Sequence, residues 1–448
     1  MKHHNPHILE GSLTKGVITL STPIIFSMFF QSLLNIVDTF WLGRLGAEAV
    51  AAVSVSWPII FIVIALASGV SIGCNALVAK YYGAKDLASA NQAAENSIWL
   101  GAFLALFLTI IGFFVSPSLF RFIGVQGEVY KLALIYTDII FVGTAFVFLM
   151  FILGAILRGE GDTKTAMKIA IGINVVNFVL DPVLIFLAGW GVAGAAVATV
   201  IANILGLVAF LVFFQTHEWF RLRFRGVDFN LKQIKDILFI GVPASLRNVS
   251  NAIGTFFITK IIAGYGAAAV AAYGIGFRLD SLGVLPVVAI SSAAVTMVGQ
   301  NFGAGNYQRA KNSGWISSGL GLVLLGVIGM LTFIFAPWLI NIFTGEKEVI
   351  DIGSTFLRIR TPGLVFSAVI MTLSAAFQAF HKSHYSFILT LLRVISMIVM
   401  AYWFNDLFGL SGVWWAVTVS SIILAVAITV WYALYQPKEV EEKPENLL

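Results

Sequence analysis

The sequence predicts an all-α integral membrane protein: twelve transmembrane helices in two six-helix bundles that repeat one another. Three observations carry this. Apolar residues make up 59 % of the 448-residue chain and charged residues only 11 %, whereas a soluble globule carries about 25 % charged residues. Long apolar runs recur throughout, giving a mean hydropathy of +0.93. They do not alternate, so a β-barrel is disfavoured. Finally, several segments recur at a fixed offset of 220 residues.

The spans fall at roughly 17–42, 49–79, 92–115, 131–153, 165–187, 191–214, 237–262, 268–298, 313–338, 356–379, 386–405 and 412–434. This divides the chain into an N-terminal tail (1–16), an N-lobe (17–214), a basic linker (215–236), a C-lobe (237–434) and a C-terminal tail (435–448). The first residues are polar and lack a small-residue cleavage site, so the first span is expected to act as the targeting signal. The acidic C-terminal tail is expected to be disordered. His3, His4 and His7 are expected to face solvent in the N-terminal tail. A single cysteine, Cys74, excludes an intrachain disulfide and a multi-cysteine zinc site.

Twelve spans put both termini on one side. Of 27 Lys and Arg residues, 17 fall in loops and tails on the terminal side. Seven fall on the other side, counting Lys260, Arg358 and Arg360 near helix ends; Arg247, Arg278 and Arg393 lie within spans. Positive charge concentrates on the cytoplasmic side of membrane proteins, so both termini are expected there, in a cytoplasmic (inner) membrane. The net charge of +5 reads as that anchoring and not as nucleic-acid binding.

The repeat is explicit. GAEAVAA at 46–52 matches GAAAVAA at 266–272, LVAKYYGAKDLASANQA at 77–93 matches MVGQNFGAGNYQRAKNS at 297–313 in pattern, and Pro23 matches Pro243. Six spans per half is an even number, so both halves insert the same way round. They are related by an axis along the membrane normal and should enclose a central cleft.

Polar residues interrupt this apolar frame in a pattern. In NVVNFVLDPVLIF (174–186), Asn174, Asn177 and Asp181 share one helical face, and Pro182 leaves one carbonyl of the preceding turn without its usual donor. The first span carries Gln31, Asn35 and Asp38 on one face, with Pro23 marking a bend. The sixth adds Thr199 and Asn203, and the fourth Tyr136 and Asp138 near its start. An aspartate at the centre of a membrane helix costs about 2.5–3.5 kcal/mol, and no basic residue lies within a few positions of Asp38 or Asp181. Two acids in one pocket favour a shared proton or a bound cation. Sodium takes oxygen ligands, which Asp38, Asn177, Asp181 and Thr199 could supply; the same set could carry a proton.

The C-lobe differs. At the repeat offset Asp38 becomes Ile258 and Asp181 becomes Ala401. Asn248, Asn251 and Thr255 share a face of the seventh span, and Arg278 and Asp280 in the eighth need other partners or the cleft. Phe61, Phe148, Phe151 and Trp57 read as lipid-facing bulk, and His381 and His384 as loop residues facing water. RGEGDTK (158–164) lacks the Lys-Ser/Thr of a phosphate-binding loop and reads as a turn with a helix-start aspartate. No nucleophile–base set suggests an enzyme.

VDTFWLGRLG (37–46), VAKYYGA (78–84) with its partner MVGQNFGA (297–304), and ILRGEGDT (156–163) running towards LDP (180–182) together resemble the multidrug and toxic compound extrusion (MATE) family. The resemblance covers about Pro23 to Trp431 and is nearest the archaeal and DNA-damage-inducible-F-like branch. It implies two bundles forming a V-shaped cleft. It also implies antiport, in which amphiphilic, often cationic, organic compounds leave while Na⁺ or H⁺ enters, without an organic cofactor. Carried onto this chain, the ion site is Asp38, Asn177, Asp181 and Thr199, with Tyr136 close by and Pro23 at the bend of the first span. Gln31 and Gly154 fall where relatives line the lobe, although relatives carry an amide at the second place. The substrate cleft is expected to involve Gln31, Asn35, Asn174, Asn203, Asn248, Asn251, Thr255, Arg278 and Asp280. Drugs or other amphiphiles and membrane lipid are the expected partners, and the monomer the working unit. The alternative is a flippase of lipid-linked saccharides, which would need several internal cations.

Overall fold

A computed structural model describes residues 6–217, 219–220 and 229–437; His3 and His4, the acidic tail from 438, and Arg221, Arg223 and Arg225 of the linker lie outside the described residues. The described chain is helical throughout: α1 (Pro6–Leu9), α2 (Leu13–Leu45), α3 (Ala47–Gly83), α4 (Leu87–Phe122), α5 (Gly127–Glu160), α6 (Thr163–Pro182), α7 (Gly191–Gln215), α8 (Leu231–Ala263), α9 (Ala267–Gly303), α10 (Tyr307–Asn341), α11 (Lys347–Ala379) and α12 (Ser383–Leu434). Ten of these helices are long and apolar enough to cross a membrane.

The other two crossings have physical explanations. α12 is two helices joined at Gly409, where φ 60° and ψ −144° break the helical path. Only glycine enters that region without a Cβ clash. The break separates the two spans expected at 386–405 and 412–434. α8 carries Lys232, Lys235, Asp236, Arg247 and Lys260, which dilute its hydropathy. Its 33 residues nevertheless extend about 50 Å, well beyond the ~30 Å of a bilayer core.

Turn chemistry sets the joints. Asp86 opens α4 by accepting from the Ser89 N–H at 3.0 Å, and Asp162 opens α6 by accepting from the Thr165 N–H at 3.0 Å. Asp162 thus caps a helix start, and Gly161 before it takes the left-handed conformation at φ 105°. Where Pro182 removes a donor, α6 widens into a π-helical turn, Val183–Leu187, closed by Ala188 N–H to Val183 C=O at 2.9 Å.

The helices sort into two lobes. α3, α4 and α7 pack around α5, with α2 and α6 paired on their flank. α9, α10 and α12 pack around α11, with α8 against α12. Phe148 is fully buried in the N-lobe core and is not the lipid-facing bulk expected of it, while Trp57 is exposed.

The lobes meet at the end that carries the termini. Gly69 of α3 and Gly241 of α8 approach so closely that a Cβ on either would lie 2.6 Å from the other's carbonyl oxygen. Ser245 Oγ donates to Ala65 C=O at 2.9 Å across the same crossing. Nearer the end, α3 and α9 cross with matched contacts. A Cβ on Gly83 would strike the Gln300 backbone, and one on Gly303 would strike the Lys80 backbone. Gln300 Nε2 donates to Gly159 C=O and Glu160 C=O, both at 2.8 Å, and Thr296 Oγ1 donates to Arg158 C=O at 2.8 Å.

Residues 6–16, part of the expected N-terminal tail, dock on the C-lobe. Ile8 is buried with Val17, Leu20 and Met297. Asn301 Nδ2 donates to Ile8 C=O at 2.9 Å, and Arg309 Nη2 to Gly11 C=O at 3.0 Å. The two histidines expected to face water are partly enclosed instead, with His381 Nε2 and His384 Nδ1 shielded from solvent. Burial, then the Lys80 and Lys382 ammonium groups, push the His381 imidazole down to about 3.

Candidate functional site

Three helices bring polar groups to the acids of the N-lobe. α2 brings Asp38, α6 brings Asn177 and Asp181, and α5 brings Tyr136. Thr199 lies on α7, which packs against α6. The α2–α6 packing puts the Asp38 and Asp181 carboxyl groups within hydrogen-bonding reach of each other. Asn177 Nδ2 donates to Asp181 Oδ1 at 3.0 Å, one helical turn away. Asp181 is fully buried, and Asn177 and Tyr136 nearly so. Thr199 Oγ1 donates to Ala195 C=O at 3.1 Å, which leaves the hydroxyl oxygen free to accept.

The charge balance of this pocket is unusual. Asp38 Oδ1 and Asp181 Oδ2 are both buried without a hydrogen-bond partner among the described residues. Neither acid has a basic partner among the described salt bridges. Two carboxylates in contact repel unless a proton or a cation lies between them. The two carboxylates and the Asn177 amide are oxygen ligands that fit a proton or a hard monovalent cation. No group of three or more His, Cys, Asp or Glu side chains that could hold a metal ion occurs among the described residues.

The residues expected to line the cleft differ in exposure. Gln31 and Asn35 are exposed on α2, while Asn174 on α6 and Asn203 on α7 are half-buried. Asn203 Nδ2 donates back to Thr199 C=O at 2.8 Å. On α8, Asn248 and Thr255 are half-buried, and the Thr255 hydroxyl donates to Asn251 C=O at 3.1 Å. Arg278 is exposed. Pro23 is buried inside an uninterrupted α2.

Two contacts in the C-lobe were not foreseen. Asp280 pairs with Arg360, Nε to Oδ2 at 3.2 Å. Arg360 is therefore an interior residue of α11 and not a charge at the outer helix end. Arg393 donates to Asn251 Oδ1 at 2.6 Å and to Ser421 Oγ at 3.3 Å. The signal that could have found the first pair is the isolated aspartate itself, since a buried acid demands a base from another helix. The positions equivalent to the acid pair, Ile258 and Ala401, sit together in an apolar cluster with Met397 and Trp414.

The MatE family model matches residues 23–183 and again residues 243–403, the two copies starting at the proline pair. The chain belongs to the MatE family. Its similarity to characterised members spans nearly the whole length. The multidrug export protein MepA of Staphylococcus saprophyticus is 24 % identical over 440 residues, covering 98 % of this chain and 97 % of the relative. The probable multidrug resistance protein NorM of Thermotoga maritima is 29 % identical over 427 residues, covering 92 % and 90 %. A solved structure described as the outward-facing conformation of a multidrug resistance MATE transporter superposes with a TM-score of 0.90 at 28 % identity, covering 95 % of this chain and 96 % of that one. The MATE architecture of two repeated helical halves accounts for the lobes described above.

Proposed function

We propose that the chain is a cation-coupled antiporter that exports amphiphilic organic compounds across the cytoplasmic membrane by alternating access. The observation that carries this reading is the meeting of Asp38 and Asp181 without a base between them. Relatives named for multidrug export support the cargo class. The bias of Lys and Arg towards the terminal side supports cytoplasmic termini. The terminal ends of the lobes are packed together, so this arrangement corresponds to a cleft open to the opposite, outer side.

Coupling follows from electrostatics. With one proton or Na⁺ between them, the two carboxyl groups hold α2 against α6. Without it, two buried negative charges repel, and α2 is driven to a different packing. α2 also packs against α9 of the other lobe. A change in its packing therefore reaches the inter-lobe contact, provided the ion binds the two states with different affinity. The chain acts as a monomer in this scheme, because both lobes lie in one polypeptide.

The test is uptake of a fluorescent amphiphile into proteoliposomes with Na⁺ and pH gradients imposed separately. One gradient should drive exchange in the wild type, and Asp38→Asn and Asp181→Asn should abolish the response to it. Undiminished gradient-driven exchange in both variants would end the coupling scheme.

A further inference from the structure

The linker carries the chain from one lobe to the other, yet residues 6–11 make a second connection across the seam, by contacts alone. On the C-lobe side, Asn301 Nδ2 donates to Ile8 C=O at 2.9 Å. Arg309 Nη2 donates to the carbonyls of His7, Ile8 and Gly11 at 3.3, 3.4 and 3.0 Å. On the N-lobe side, the buried Ile8 side chain presses on the turn after α5, its Cδ1 lying 2.8 Å from where a Cβ on Gly161 would be. Gly11, at φ 76°, then turns the chain into Ser12, which caps the start of α2. The strap folds back so tightly on α2 that a Cβ on Gly16 would lie 2.9 Å from the His7 carbonyl oxygen.

The repeat shows what is particular about this strap. At the 220-residue offset, Asn301 and Arg309 correspond to Tyr81 and Ser89. That corner of the N-lobe holds the start of α8. Gln233 Nε2 donates to Ser89 C=O at 3.4 Å, and Asn96 Nδ2 donates to Gln233 Oε1 at 3.0 Å. Each lobe thus grips the chain where it enters the first crossing of the other. The two grips differ in one respect. The linker ties α8 to α7, so covalent bonds keep its start near the N-lobe corner. Residues 6–11 lead only into α2 of the N-lobe, and nothing but the contacts above keeps them on the C-lobe corner.

We propose that residues 6–11 are a releasable latch that holds the terminal ends of the two lobes together. While it is docked, Ile8 fills the space between Gly161 and the C-lobe, and the start of α2 is pinned against Met297 of α9. When it leaves, the backbone carbonyls that Asn301 and Arg309 held are met by water, and the start of α2 is freed from α9. α2 is the helix that carries Asp38 near its other end. The latch rests on the alternating-access reading for what parting of the lobes accomplishes. A segment that merely covered the seam could detach and leave the lobes where they are, and this is the difference to be measured.

The measurement needs two spin-label readouts on the full chain in nanodiscs, with Cys74→Ala as the background. A label at Glu10→Cys, an exposed position on the strap, is immobilised when the strap is docked and mobile when it is released. A label pair at Ala88→Cys and Asn306→Cys, one exposed position on each lobe, reports the lobe separation. Asn301→Ala combined with Arg309→Ala should mobilise the Glu10 label and raise the ratio of parted to joined lobes by at least about fivefold. Deletion of residues 2–11 should raise that ratio at least as much. The deletion leaves the C-lobe and the Ser12 cap intact, so it keeps the test valid if the double variant does not fold. Gly303→Ala, whose methyl group would overlap the Lys80 backbone, is the positive control for parting. A mobile Glu10 label with unchanged lobe distances, or unchanged distances in the deletion while the control shifts, would overturn the latch and leave alternating access standing. A single lobe distance in every variant, the control included, would overturn both.

Discussion

The crossing of α3 and α9 offers a quantitative test of the alternating access proposed above. In Gly303→Ala the new methyl group would overlap the Lys80 carbonyl, a backbone group that no rotamer change can move. The helices must separate, and overpacking of this kind costs about 1–3 kcal/mol. The cost applies only while the terminal ends of the lobes are together. The substitution therefore tilts the equilibrium towards the state in which they are apart, by about 5- to 150-fold. Gly83→Ala should act likewise through the Gln300 backbone. Gly319 has nothing within 4 Å of an added Cβ, so Gly319→Ala is the control. Pulsed electron resonance can read the populations from spin labels at Ala88→Cys and Asn306→Cys, both exposed, one on each lobe. The one native thiol, Cys74, is buried and would be removed by Cys74→Ala. A longer inter-label distance should gain population in the Gly303 and Gly83 variants but not in the control. An unchanged distribution in both variants would refute the view that this contact sets the balance between states.

Two further outcomes follow from the charges. Asp280→Asn leaves Arg360 in the C-lobe interior without its counter-charge and should cost about 3 kcal/mol. Asp280→Leu combined with Arg360→Met should recover most of that loss. Thermal unfolding of Asp280→Leu, of Arg360→Met and of the double decides it, and additive losses would show that the pair is not coupled. The folded imidazole of His381 sits at about 3, below the unfolded value of about 6.5. Its stabilising contribution is therefore complete above pH 6.5 and is lost as pH falls towards 3. His381→Gln should flatten the fall in unfolding temperature between pH 7 and pH 4. A fall of the same size in both proteins would place His381 in contact with water.

Much of the fold was legible because each crossing is a long apolar run and because the duplication repeats glycines and prolines at a constant offset. The acid pair was legible for a related reason. An unpaired carboxylate inside an apolar run is costly, so its presence calls for a partner, and helical spacing placed Asn177 and Asp181 on one face. Arg360 was misplaced because α11 begins at Lys347, and its first turns carry Lys347, Glu348 and Asp351. Those charges disguise an ordered helix as a loop and shift the apparent membrane boundary towards Arg360. The inter-lobe glycines could not be assigned from sequence. Their role depends on the approach of backbones distant in the chain, Gly69 to Gly241 and Gly83 to Gln300 among them, which no local pattern encodes. The histidines were misjudged for the opposite reason: a polar loop was assumed to be wet, although the lobes close over it.

The matched pairing of Gly83 with Gln300 and of Gly303 with Lys80 has a consequence for origin. Each half presents a small residue where the other presents main chain, so the seam is isologous, the kind of self-complementary face that joins identical subunits about a two-fold axis. A single six-helix ancestor bearing that face could associate with its own copy. Fusion into one polypeptide then released the copies from being identical, leaving one free to specialise in acids and the other in arginines.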